Sequence, residues 1–154
     1  MAAIRIQVGL STRISMIILG VLVIWAIPSR SADPEVLRPR VPAHQIKAAK
    51  AVTNPLPAAP ETVEKGKAVY HGKGFCVTCH GPDGTGLGNI PGLVGKLPRN
   101  FTDKAWQKAR TDGELMWILR NGSPGTAMAP FVPLVLTEEE AWQVLLYVRA
   151  FGHD

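Results

Sequence analysis

The sequence predicts an all-α domain with long loops. Three segments carry helix signals, and no stretch alternates apolar and polar residues as a half-buried strand does. With 15 glycines and 13 prolines in 154 residues, much of the chain between these helices is expected to be loop. A small, loop-rich domain buries a limited fraction of its surface and often needs additional stabilisation from a covalent link or a cofactor.

The three predicted helices have recognisable ends. The first is predicted over residues 62–71 and ends before Gly72. The other two each begin with a capping box, in which a glutamate follows a threonine by three residues: Thr111 with Glu114, and Thr137 with Glu140. The third helix continues with an amphipathic pattern that faces a core, made by Trp142, Leu145, Leu146 and Arg149.

The first 31 residues are expected to be an export signal. Arg5 and Arg13 accompany an uncharged run over residues 14–27, and small residues suit cleavage after Ser31. As a helix the run would span about 21 Å, short of the roughly 30 Å bilayer core, which favours cleavage. Residues 1–31 are therefore expected to be a signal peptide or a retained membrane anchor, with the rest of the chain exported to the periplasm.

Residues 32–60 are expected to be a tether between this leader and the domain, which is predicted over residues 61–154. The segment is rich in alanine and holds six prolines, at positions 34, 39, 42, 55, 57 and 60. Such a composition favours a semi-rigid, extended chain. A tether would be useful if the N-terminus stays in a membrane, so it favours retention of the leader.

The net charge of +5 is distributed unevenly along the chain. Residues 1–31 contribute +3 and residues 32–60 contribute +2, whereas residues 61–154 hold ten basic and ten acidic residues. The basic excess therefore falls on the leader and the tether. No nucleic-acid surface is expected on the domain.

The two cysteines, Cys76 and Cys79, form a C-x-x-C-H run with His80. This run is the signature of c-type haem attachment. Two thiols at this spacing reach the two vinyl groups of one porphyrin, and the adjacent imidazole becomes the proximal iron ligand. A thioredoxin-like pair would need a βαβ context, and a zinc site would need two further ligands at suitable spacing. The sequence has neither.

Met128 is the expected distal iron ligand. It lies in a loop of small residues and prolines, whereas Met116 lies mid-helix and is expected to fill a gap in the core. His/Met ligation is the usual arrangement in cytochromes c. The competing histidines, none of which lies in such a loop, are His44, His71 and His153.

From Gly66 to Phe151 the sequence resembles class I cytochromes c of the bacterial monohaem type. The shared features are the Gly66 and Tyr70 pair, the haem motif followed by Gly81, the Met128 loop with Pro130, and the aromatic residues Trp142 and Tyr147. The resemblance implies a cytochrome c fold, with three main helices and long loops around one covalently bound haem c per chain.

The resemblance also implies further haem contacts. In this family a proline carbonyl accepts the proximal imidazole N–H, and Pro91 is the better candidate, with Pro82 closer to the motif. Arg99 would be a propionate partner or simply solvated, and Phe101 a packing aromatic. Two tryptophans would line the haem crevice or the core, Trp106 and Trp117.

The function expected from these features is single-electron transfer, with no catalysis by this chain. Its partners would be a redox donor and acceptor, such as a membrane respiratory complex, and membrane contact through the N-terminus fits that setting. Two alternatives remain open at this point. One is a haem enzyme or sensor with an exchangeable sixth ligand, and the other is a mainly structural haem subunit of a larger complex.

Overall fold

The computed structural model describes residues 34–88, 90 and 96–153. Within these residues the regular structure is entirely helical, so the predicted all-α class is confirmed. The helices run in chain order: α1 (Pro34–Leu37), α2 (Ala43–Lys50), α3 (Pro60–His71), α4 (Cys76–His80), α5 (Lys104–Ala109), α6 (Asp112–Asn121) and α7 (Glu138–Ala150).

The three predicted helices are α3, α6 and α7. Helix α3 begins earlier than predicted, at Pro60, because proline suits the first helical turn, where its missing N–H has no intrahelical partner to lose. Both predicted capping boxes are present. The Thr111 hydroxyl accepts from the Glu114 N–H at 3.2 Å, and the Glu114 carboxylate accepts from the Thr111 N–H at 2.8 Å. Thr137 and Glu140 form the same reciprocal pair at the start of α7.

The core forms where α3 crosses α7, the most extensive helix contact in the described part of the chain. Gly66 lies at this crossing. A Cβ on Gly66 would be 2.0 Å from the carbonyl oxygen of Gln143, a backbone atom of α7. Only a residue without a side chain therefore permits this approach. One turn later the buried Tyr70 hydroxyl donates to the Gly81 carbonyl at 2.7 Å, which joins α3 to the loop after α4.

Two short helices, α4 and α5, carry no periodic signal in the sequence. Helix α4 is five residues long, and Phe75 before it adopts the left-handed conformation, with φ 49° and ψ 19°. Helix α5 is capped by the Asp103 carboxylate, which accepts from the Trp106 N–H at 2.9 Å. Both helices are fixed by their surroundings more than by an amphipathic pattern of their own.

Residues 34–59, called the N-terminal arm below, do not form the extended tether that the sequence predicted. The arm contains α1 and α2, and α2 packs against α6. The approach is closest at Gly113, where a Cβ would be 2.0 Å from the Ala49 carbonyl oxygen and 2.4 Å from that of Val52. Val41, which precedes α2, and Ala49 within α2 are both buried.

Two of the prolines that suggested an extended segment lie at helix starts in the arm. Pro34 is the first residue of α1, where the fixed proline φ favours a helix, and Pro42 is the N-cap of α2. The arm belongs to the same compact unit as the helices it contacts. Side-chain hydrogen bonds join it to α6 and α7: Trp117 Nε1 donates to Gln45 at 2.6 Å, and Asn54 donates to the Trp142 carbonyl at 3.1 Å.

Because the arm packs against the helices, the positive charge of the chain lies elsewhere than the sequence predicted. The arm carries four basic residues and one acidic residue, while residues 61–154 are balanced. The basic excess that was expected on a separate tether therefore belongs partly to the folded body. The arm's charged residues are Arg38, Arg40, Lys47, Lys50 and Glu35.

Residues 1–33, 89, 91–95 and 154 lie outside the described residues. The expected signal peptide or membrane anchor falls in that part, and so does Pro91. Among the helices that the structure describes, none is both long and apolar enough to cross a membrane.

Replacing Gly66 by alanine is predicted to destabilise the protein by about 1–3 kcal/mol or more, the usual cost of overpacking. The added Cβ meets backbone of α7, which cannot turn away as a flexible side chain can. Urea unfolding followed by circular dichroism measures the change. Lys67→Ala, at an exposed neighbouring position, is the control and should stay within about 0.5 kcal/mol of the original protein. Equal stability of the two variants would contradict the close crossing.

Candidate haem site

A cavity of about 250 Å³ opens beside α4. Its wall is mostly apolar and comes from helices α3 to α7, the loops after α4 and α6, and the N-terminal arm. Six of the predicted haem-binding and iron-ligating residues line this cavity: Cys76, Cys79, His80, Arg99, Phe101 and Met128.

Both cysteines lie on the single turn of α4 and both are free thiols. Burial raises the pKa of the Cys76 thiol to about 12, so this thiol is protonated at neutral pH. Both thiols line the apolar cavity, and this position suits covalent attachment of a porphyrin.

His80 is buried at the end of α4, with its ring held by the backbone. Its Nδ1 lies 3.0 Å from the Arg99 carbonyl oxygen. Because a carbonyl only accepts, Nδ1 carries the proton and Nε2 keeps its lone pair. Burial lowers the pKa of His80, which favours the neutral ring. A neutral imidazole whose other nitrogen is bound to a backbone carbonyl is the form that serves as a metal ligand.

Phe101 packs flat against this imidazole. The two ring centroids are 4.2 Å apart with an interplanar angle of 19°. Phe101 is buried, and its N–H donates to the Gly84 carbonyl at 2.7 Å. Phe101 therefore restrains the orientation of the His80 ring.

Met128 lies half-buried in a closed loop after α6. The Ser123 N–H donates to the Met128 carbonyl at 2.9 Å, and the Met128 N–H donates to the Thr126 hydroxyl at 3.2 Å. Met116 is fully buried in the core, as the sequence predicted. Among the described residues, Met128 is the one methionine and His80 the one histidine that line the cavity.

Arg99 lines the cavity, but its contacts differ from those expected. Its backbone carbonyl accepts from His80, the role that the sequence assigned to a proline at position 91 or 82. That assignment is corrected, because the loop brings Arg99 rather than Pro82 to the ring; Pro91 itself lies outside the described residues. The Arg99 guanidinium donates to the arm carbonyls of Glu35 at 3.3 Å and Arg38 at 3.2 Å.

Three arginines that the sequence did not single out as haem contacts also line the cavity: Arg38, Arg40 and Arg110. Arg40 and Arg110 each have a buried Nε without a hydrogen-bond partner among the described residues. A buried N–H left unpaired is costly, so it indicates a missing acceptor. Haem carries two propionate carboxylates, which would supply acceptors of the opposite charge. With the thiols, the imidazole and the apolar wall, these atoms fit a bound haem c.

Sequence patterns carried little signal for Arg40 and Arg110. Arg40 lies in the segment taken for a tether, and Arg110 precedes a capping box, where a solvated residue is usual. The sequence left open whether Trp106 and Trp117 line the haem crevice or the core, and the structure gives the two residues different surroundings. Trp106 is buried and lines the cavity, whereas Trp117 donates to Gln45 of the arm.

The fold and the site together define a c-type cytochrome. Residues 61–148 match the family described as "Cytochrome C oxidase, cbb3-type, subunit III". Because this match covers more than half of the chain, the chain belongs to that family. It is a c-type cytochrome that binds haem c covalently and transfers electrons.

One solved structure similar to this chain is the Kuenenia stuttgartiensis reducing HAO-like protein complex Kustc0457/Kustc0458. The match has a TM-score of 0.53 and 28% sequence identity, and it covers 63% of this chain. This chain spans about half of the matched one, 46% of its length. A search of curated protein sequences finds no match.

Replacing Phe101 by alanine is predicted to destabilise the protein by about 3–5 kcal/mol, because a buried aromatic ring is lost beside His80. Guanidinium unfolding of the haem-loaded protein measures the change. The control is Leu134→Ala, since Leu134 is 85% exposed, does not line the cavity and should contribute about 0.5 kcal/mol or less. Similar losses in both variants would mean that the Phe101 ring is not a specific support of the site.

Proposed function

We propose that this chain is a single-electron carrier with one haem c, attached at Cys76 and Cys79 and ligated by His80 and Met128. The observation that carries the proposal is the shared cavity. Residues of the C-x-x-C-H turn and the Met128 loop, far apart in sequence, line the same apolar space. His/Met ligation is the usual arrangement in cytochromes c and favours a high reduction potential.

The residues of the chain have separable roles in this proposal. Haem supplies the iron that changes oxidation state. His80 keeps its Nε2 lone pair available because its Nδ1 donates to Arg99. The apolar wall, which includes Leu115, Leu119 and Leu145, excludes water and disfavours the more highly charged oxidised state. If His80 and Met128 both hold the iron, no coordination site would remain open for a substrate, and the chemistry that the bound haem supplies would be electron transfer.

The partners in this proposal are redox proteins of a respiratory complex. The family description names a cytochrome oxidase subunit, and the similar solved structure is a protein complex. Two exposed apolar side chains at the cavity, Phe75 and Leu97, are 67% and 65% exposed and offer contact area to a partner. The compartment we propose is the periplasm, with residues 1–31 directing export.

A haem enzyme is the second candidate function, because the similar solved structure is a complex described as reducing. Such an enzyme would need an exchangeable sixth ligand in place of a firmly bound Met128. Binding of carbon monoxide to the reduced protein distinguishes the two functions. A carrier should bind it weakly, and an enzyme with an exchangeable ligand should bind it readily.

Haem attachment is tested by a pyridine haemochrome spectrum of the purified protein. The original chain should contain one thioether-linked haem that resists acid extraction. The variant with Cys76→Ser and Cys79→Ser together should lose all covalent haem, because no thiol remains to attach it. A spectrum of fully extractable haem from the original chain would overturn the proposal.

Distal ligation is tested by Met128→Ala. This variant should lose the sulfur-to-iron charge-transfer band of the ferric protein and should have a lower midpoint potential, because the thioether favours the reduced state. Met116→Leu is the control, since Met116 is buried in the core, and it should keep the band. Retention of the band in Met128→Ala would show that another group is the sixth ligand.

A further inference from the structure

The N-terminal arm contributes to the cavity although it lies outside the residues matched by the family. The family match begins at residue 61, whereas Arg38, Arg40 and Val41 of the arm line the cavity wall. These arm residues form one side of the cavity wall. The family-matched segment alone therefore does not complete the cavity of this chain.

The arm is held by arginines of the cavity wall. Arg99 donates to the backbone carbonyls of Glu35 and Arg38, and Arg110 donates to the carbonyl of Leu37. Arg110 is also paired with the buried Glu114 at 2.8 Å. Three arm carbonyls thus satisfy guanidinium N–H groups of the wall, which fixes the arm backbone next to the cavity.

The same arm segment connects the two loops that carry the proposed iron ligands. On one side, Arg99 binds the arm through its guanidinium and His80 through its carbonyl. On the other side, Arg40 donates to the Ser123 hydroxyl at 3.1 Å, and the Ser123 N–H donates to the Met128 carbonyl. Hydrogen bonds, together with the covalent chain between them, therefore link His80 to Met128 by way of the arm.

The Nε atom of Arg40 is buried without a partner among the described residues, as is that of Arg110. Burial also lowers the pKa of Arg40, although a guanidinium stays charged. Two unpaired donors from cationic side chains of one cavity indicate an anionic group with at least two acceptor atoms. The haem propionates are such groups.

We propose that the N-terminal arm is a functional part of the haem site. Arg40, together with Arg110, binds the haem propionates, and the arm braces the His80 and Met128 loops against each other. The proposal rests on the proposed function, because it requires haem in this cavity. Arg40 is then a positioning residue that raises the midpoint potential, since its positive charge disfavours the extra positive charge of the oxidised iron.

The test compares Arg40→Gln with Lys47→Gln in the haem-loaded full chain. Both variants remove one positive charge from the arm, but Lys47 is exposed on α2 and does not line the cavity. At a fixed solution potential, the ratio of reduced to oxidised Arg40→Gln should fall by up to about tenfold, which for one electron is about 59 mV. Lys47→Gln should stay near the original value because solvent screens its charge.

A second variant, Gly113→Ala, changes the position of the arm without changing its charge. The added Cβ would collide with the Ala49 and Val52 carbonyls and push α2 away from α6. Trypsin should then cleave faster after Lys47 or Lys50, and the sulfur-to-iron band should be lost at a lower temperature than in the original chain. If the arm does not pack here, alanine should instead favour α6, and neither change should occur.

The outcomes distinguish this proposal from the proposed function. Haem content of the original chain is measured first, and absence of covalent haem would reject both. With haem present, equal potentials for Arg40→Gln and Lys47→Gln would reject the propionate role of Arg40. An unchanged band and unchanged cleavage in Gly113→Ala would reject the bracing role. Should Arg40→Gln fail to fold, Arg40→Lys retains the charge but lacks Nε, and unaltered thermal stability of the sulfur-to-iron band in that variant would overturn the Nε contact.

Discussion

The hydrogen bond between His80 and the Arg99 carbonyl is the constraint on which the site depends. It joins the haem-motif helix to a loop that is distant in sequence, and it selects the ring tautomer that leaves Nε2 able to bind iron. Phe101 follows two residues later in that loop and stacks on the ring. One short backbone segment therefore sets the protonation, the orientation and the packing of the proximal imidazole.

The same segment explains why the arm is part of the fold. The Arg99 carbonyl is turned toward His80, and its guanidinium reaches the arm carbonyls of Glu35 and Arg38. Burying arginine is unfavourable unless its N–H groups find acceptors. The arm supplies carbonyl acceptors to Arg99 and Arg110, so docking of the arm and burial of the arginines stabilise each other.

How much could be predicted from the sequence depended on how local each signal was. The capping boxes at Thr111 and Thr137 are local, and both are present in the structure. The C-x-x-C-H run is also local, and the family match supports the haem it indicates. Packing of the arm could not be predicted, because it depends on Gly113 meeting the Ala49 carbonyl across a long separation in sequence. Prolines suggested an extended chain, but proline is equally suited to the start of a helix.

Charge at the site follows from the same long-range packing. Residues 61–154 are electrically balanced, so two propionates in the cavity would leave that part of the chain negative. The docked arm adds four basic residues against one acidic residue, and two of the basic ones, Arg38 and Arg40, line the cavity. Because charges interact more strongly across short distances in a low-dielectric site, the position of Arg40 in the proposed haem site would matter more to the iron than its contribution to net charge. In this proposal the arm affects the midpoint potential through the position of the Arg40 guanidinium. A count of charges along the sequence does not reveal that position.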